Sequence, residues 1–251
     1  MRKRVLLLSL TSMVVSLCVP VSAQQNNMDS LLQRLQELGS IPGVSVERIE
    51  KNHEYVDLGL SVMWATCNVG ADNPEEPGDF YAWGETSTKK EYKDSNYKWS
   101  KGSDNKLTKY CSDKKDGYKN FVDNKMVLDP EDDAAHVNWG AHWRMPTVEE
   151  WQELKDNCTW SFETLNGIKG FRVTSNKPGY TDRSIFLPAS GSQSGGVNRG
   201  GEYFSSSLNA DEPTNAWYLS IYCGDDPKDR FASIYKYGVR EYSHSVRAVR
   251  P

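Results

Sequence analysis

From Trp160 onward the chain is a succession of short runs in which apolar and polar residues alternate, each closed by glycine, asparagine or proline. Successive side chains of a strand point to opposite faces, so such runs predict half-buried strands of mainly antiparallel sheet. Residues 160–164 and 170–174 flank Asn166-Gly167, a strong hairpin signal. Further strands are predicted at 184–189, 203–207, 216–222 and 232–235, and a Gly/Ser-rich loop at 190–201. The closing run, Ser245 to Arg250, alternates apolar residues with serine and arginine. Earlier, 55–65 reads as two short strands turning at Gly59, and 80–84 as an aromatic strand end.

Two helices precede this β-rich half. Asp129 is the expected N-cap of the first, with Pro130 at its first helical position and three acids complementing the dipole. Asp129, Glu131, Asp132 and Asp133 also invite a calcium reading, but they lack the Asp-x-Asp-x-Asp-Gly spacing that wraps a cation. Capping is the better account, and no metal or other cofactor is expected. In the second helix Thr147 and Glu150 form a capping box ahead of Trp151 and Leu154, and the helix ends near Asn157-Cys158. Helices followed by strands define an α+β domain. No segment repeats at a fixed period, which argues against a solenoid or propeller.

The N-terminus reads as an export signal. Arg2, Lys3 and Arg4 precede an apolar run from Val5 to Val19, and Val21-Ser22-Ala23 suits a cleavage site. The run is short for a membrane span and Pro20 interrupts it, so no transmembrane segment is expected after cleavage. Loss of residues 1–23 takes the formal net charge from −4 to −7. This acidity argues against a nucleic-acid binder, which normally shows a basic face, and no nucleic-acid partner is expected. Residues 24–54 follow as an amphipathic helix (Met28, Leu31, Leu32, Leu35, Leu38) and a linker, and the main domain spans 55–251. Within it, 85–125 carries eleven lysines and seven acids and is expected to be a solvated insertion with little core material.

The chain is polar, with a mean hydropathy of −0.68, yet it holds eight tryptophans and thirteen tyrosines. That pairing suits compact β structure with aromatic-lined surfaces and excludes disorder. Four cysteines remain after cleavage, Cys67, Cys111, Cys158 and Cys223. They allow three pairings in an oxidising compartment, and their spacing is not that of a zinc site. His53, His136, His142 and His244 belong to no catalytic motif, and Gly195-Gly196 and Gly200-Gly201 are not a phosphate loop.

Eight strings carry a family resemblance: YVDLGLSVMWATCNVGA (55–71), DFYAWGET (79–86), DDAAHVNWGAHWRMPTVEEWQEL (132–154), GFRVTS (170–175), IFLPASG (185–191), GEYFSSS (201–207), NAWYL (215–219) and the closing SVRAVRP. In this order they resemble the Fibrobacter succinogenes major paralogous domain family, common in exported proteins of Bacteroidetes-type bacteria. The resemblance implies a C-type-lectin-like α+β fold related to formylglycine-generating proteins, with the first strand beside the last and long loops decorating a mixed sheet. Trp64, Trp83, Trp143, Trp151 and Trp217 lie inside the shared strings and are expected in the core. The formylglycine-generating relatives use closely placed C-terminal cysteines, whereas Cys158 and Cys223 are sixty-five residues apart. Oxidase chemistry is therefore not carried across.

These readings predict a secreted, periplasmic or outer-membrane-associated module without catalytic residues, whose loops recognise a glycan or a cell-surface protein. The alternatives are a structural or adhesive envelope component and an enzyme related to the formylglycine-generating oxidases. The region 190–215 and the turn 224–230 are the expected display surface. Within or beside them Asn198, Arg199, Tyr203, Asn209, Asp211, Asp225, Asp226 and Tyr237 are the candidate contacts.

Overall fold

A computed structural model describes residues 53–191 and 198–251. The expected export signal, all but the last two residues of the expected 24–54 helix and linker, and positions 192–197 of the expected glycine-rich loop lie outside the described residues. The architecture is α+β, with strands mostly antiparallel. β1 (Tyr55–Val56), β2 (Met63–Asn68) and β11 (Arg247–Arg250) form one sheet in the order β1-β2-β11. A second comprises β4 (Cys158–Leu165), β5 (Ile168–Ser175) and β6 (Ser184–Pro188). The largest contains β3 (Phe80–Ala82), β7 (Gly200–Leu208), β8 (Asn215–Tyr222), β9 (Phe231–Val239) and β10 (Ser243–Ser245). Its order is β3-β10-β7-β8-β9, so β9 is an edge strand. Between these strands, β10 pairs with β7 in parallel, at Ser245 opposite Tyr203.

Local signals explain several elements. Asn166 and Gly167 both take positive φ, at 48° and 86°, as the two-residue β4–β5 turn requires. Gly59 turns between β1 and β2 at φ 70°, and its N–H donates to the Asp57 side chain. Helix α1 spans Ala134–Trp139 and α2 spans Val148–Asn157. The α2 capping box is present: Thr147 Oγ1 accepts from the Glu150 N–H, and the Glu150 carboxylate accepts from the Thr147 N–H.

The start of α1 differs from expectation. Asp129 makes no side-chain cap, and Pro130–Asp132 is a 3₁₀ turn. Asp133 is the cap instead, its Oδ1 accepting from Ala135 and His136 N–H and its Oδ2 from Met145 N–H. The third donor comes from across the chain, which no local pattern encodes. The closing run also departs from a single strand. Ser243–Ser245 joins the largest sheet, while Arg247–Arg250 crosses to pair with β2. The last strand thus lies beside the second arm of the opening hairpin.

Two apolar clusters fill the domain. One gathers Trp64, Trp151, Leu154, Phe171, Leu187, Leu219 and Ile221 beneath α2, with the Trp64 and Trp151 rings 4.7 Å apart. The other gathers Trp83, Tyr110, Trp139, Trp143, Phe204 and Val246. Trp217 is an exception to the expected core, since it is only half-buried on β8.

The lysine-rich segment 85–125 is not a solvated appendage. Tyr97, Leu107, Tyr110 and Cys111 are buried, and Arg240 is fully buried against them. Composition hides this because a few apolar anchors hold the segment while its lysines reach water. Next to Arg240, Glu241 is buried and faces the Asp94 side chain, with Asp104 beyond. Burial, then the hydrogen bond with Asp94, pushes the Glu241 carboxyl up to about 7. A carboxyl raised in the fold contributes full stability below the ordinary carboxylate range and loses it as pH rises through about 7. Glu241→Gln is expected to match the parent at about pH 4 and below and to be more stable at pH 8, by on the order of 1–3 kcal/mol. Equal denaturation midpoints at pH 8 would rule this out.

Candidate functional site

The β7–β8–β9 part of the largest sheet has two unlike faces. One carries Tyr203, Leu219, Ile221 and Ile234 into the core beneath α2. On the other, β-sheet register places side chains in rows across the strands. Tyr222 pairs with Phe231, and their rings lie 5.8 Å apart with planes 23° from parallel. Two residues along, Glu202, Ser220 and Ser233 align across three strands. Two residues further, Tyr218 pairs with Tyr235 at 5.7 Å and 33°.

The result is an aromatic row, a hydroxyl and carboxylate row, and a second aromatic row. Phe231 and Tyr235 keep 42% and 41% of their surface exposed on the edge strand, and Tyr218 and Tyr222 are half-buried beside them. Pairing of each ring with its neighbour limits its rotamers, so the rows are preorganised. At the inner margin His244 packs on Phe204 at 4.0 Å and on Tyr218 at 5.3 Å. Its Nδ1 lies 2.9 Å from the Ser243 carbonyl and 3.3 Å from Glu202 Oε2. Burial pulls the His244 pKa down to about 4. At neutral pH the ring is therefore uncharged, and its contact with Glu202 is not an ion pair.

The residues singled out from sequence separate across the sheet, and two of them, Tyr203 and Asn209, are buried. Asn198 and Arg199 precede β7, and Asp225 and Asp226 sit in the β8–β9 turn beside them. Asn198 Oδ1 accepts from the Lys169 N–H, and Lys169 Nζ meets Asp225 at 2.6 Å. That contact holds the Asp225 carboxyl below its usual range. Asp226 caps the Pro227–Asp229 turn through the Lys228 N–H, and Arg199 Nη2 lies 3.5 Å from the Tyr222 hydroxyl. Asn209 and Asp211 lie at the other end of these strands, roughly 26 Å away along β7 at strand rise, while Tyr237 is exposed on β9, two residues beyond Tyr235.

Within that far group Asn209 is buried, donating to the Lys236 carbonyl and accepting from the Asp211 N–H. It shapes the turn and does not contact solvent. Tyr203 is fully buried, its hydroxyl on the Pro188 carbonyl and pushed up to about 12 by burial. Tyr203 fails as a contact residue because its side chain lies on the core face of β7, and Asn209 because both ends of its amide are engaged in the turn that follows β7. Tyr218, Tyr222, Phe231 and Tyr235 were missed, although Tyr218 and Tyr222, four apart on one predicted strand, carry the period-two signal of a shared face.

Other chemistry is disposed elsewhere. All four described cysteines are free thiols, and Cys111, Cys158 and Cys223 are buried. Burial pushes Cys158 and Cys223 up to about 11, so neither is a thiolate at neutral pH. Asp129, Glu131 and Asp132 converge, but the Lys109 ammonium sits 2.5 Å from Asp129, 2.6 Å from Asp132 and 3.7 Å from Glu131. A lysine thus supplies the positive charge there. A cleft of about 330 Å³ is lined by His136, His142, Trp143 and Arg144, and one of about 200 Å³ by His53, Cys67 and Trp139. Neither includes the aromatic rows. Among the described residues no helix is long and apolar enough to cross a membrane. No family model, curated protein or solved structure matches the chain.

Proposed function

We propose that the chain is an exported ligand-binding module of the bacterial cell envelope whose β8–β9 face recognises a glycan. The observation that carries this is the pair of aromatic rows flanking a hydroxyl row on one face of an antiparallel sheet. A sugar ring has an apolar face of C–H groups and an equatorial rim of hydroxyls. Aromatic side chains meet the first and serine or carboxylate oxygens meet the second. The export signal and the ordered family strings support the envelope setting, and membership of the major paralogous domain family is part of the same reading.

A glycan array on the folded protein, with and without calcium, tests it. Binding is expected, and it is expected to be indifferent to calcium, because stacking and hydroxyl contacts need no cation. Tyr222→Ala and Tyr235→Ala are each expected to weaken binding roughly tenfold, with little change in melting temperature. An array without signal, together with co-purification of an envelope protein, would favour a protein ligand instead.

A further inference from the structure

The same face also says which part of a glycan it can hold. Resting on the reading above, we infer that the ligand is an internal stretch of a linear, uncharged polysaccharide, not a monosaccharide or a chain terminus. The carrying observation is the distance between the aromatic rows. Tyr218 and Tyr222 are four residues apart on one strand, which places their rows roughly 13 Å from each other at strand rise. A single pyranose ring cannot cover both. A chain that meets both must run along the strands, from the Tyr222–Phe231 row over Ser220 and Ser233 to the Tyr218–Tyr235 row.

Two further features set the class. The rows lie across the strands toward the β9 edge of the sheet, with Tyr218 at their inner end packed against the second apolar cluster, and they line neither cleft described above. Recognition of a chain end needs a blocking wall, and a face crossed by a continuing chain does not. The six side chains of the β8 and β9 rows, Tyr218, Ser220, Tyr222, Phe231, Ser233 and Tyr235, include no cation. A polyanion would lay its charges over them with nothing on the rows to balance the lost hydration. Arg199 reaches only the Tyr222 margin.

Each row alone is a weak site. One chain spanning both makes the second contact intramolecular, and such linkage typically strengthens binding by about 10²–10⁴-fold. Titration calorimetry of the folded protein with oligosaccharides of one linear neutral glycan, from monosaccharide to hexasaccharide, tests the inference. Affinity electrophoresis in β-glucan, xylan, mannan and a polyuronate extends it to polymers. The expected result is a rise in affinity of about 100-fold or more from mono- to hexasaccharide, then a plateau. Reducing the end of the hexasaccharide should change nothing. In Tyr222→Ala and in Tyr235→Ala the length dependence itself should collapse, since one row is gone.

A monosaccharide that competes as well as the hexasaccharide, or loss of binding on end reduction, would overturn the inference and leave the glycan reading standing. Retardation by polyuronate alone would do the same. Absence of binding to every glycan by the parent protein would remove both.

Discussion

Arg240→Met is expected to lower stability by roughly 3–5 kcal/mol. Arg240 is fully buried. Its Nε donates to the Tyr97 hydroxyl at 2.9 Å, its Nη1 to the Tyr110 and Pro213 carbonyls at 2.9 and 2.7 Å, and its Nη2 to the Lys109 carbonyl at 3.1 Å. The guanidinium also lies 4.8 Å from the Trp83 ring. Methionine keeps most of the stem volume and strands all four acceptors, each of which costs about 1–3 kcal/mol to leave unsatisfied. The separate costs do not add in full, because the loosened segment can admit water. Melting should fall by roughly 6–20 °C. Amide exchange at Tyr97 and Leu107–Cys111 should accelerate more than exchange in β5, because Arg240 is what fastens 85–125 to the sheet. A variant as stable as the parent, or one whose β5 opens equally fast, would defeat this account.

Arg247→Met is expected to cost a similar amount by a different route. Arg247 Nε donates to Asn68 Oδ1, its Nη1 to the Ala65 and Thr66 carbonyls, and its Nη2 to the Phe186 carbonyl, at 2.6 to 3.0 Å. One side chain thus ties β11 to β2 and both to β6. Burial pulls its pKa down to about 10, which still leaves it charged at neutral pH. Arg247→Lys should rescue little, because an ammonium cannot donate along the three directions of a planar fork. Urea denaturation of both variants checks this, and a lysine variant within about 1 kcal/mol of the parent would refute it. In both arginines the hydrogen-bonding partners are neutral oxygens. The charge is held by carbonyl dipoles and rings, so a sequence search for acid–base pairs passes over them.

What was legible in the sequence was local. The Thr147–Glu150 box and the Asn166-Gly167 hairpin are encoded within a few residues, and both appear where expected. Asp133 caps the first helix where Asp129 was expected, and its third donor, the Met145 N–H, arrives through the fold. The insertion was misjudged because charge averaged over forty residues outweighs three or four buried anchors. Among the candidate contacts, Arg199, Asp211, Asp225, Asp226 and Tyr237 are exposed, as expected. Tyr203 and Tyr222 have similar sequence surroundings, and only strand order decides that one lies in the core and the other on the open face. The site was therefore readable as a tyrosine surplus and unreadable as a surface until β8 and β9 were paired.

The three buried thiols have a practical use. Cys111 anchors the lysine-rich segment, Cys158 begins β4 at the end of α2, and Cys223 follows β8. An alkylating reagent reaches each of them only when its own neighbourhood opens, and local openings differ in free energy across a structure. Mass-resolved labelling of the native protein would thus time three separate breathing motions at once, without introducing a single foreign reporter.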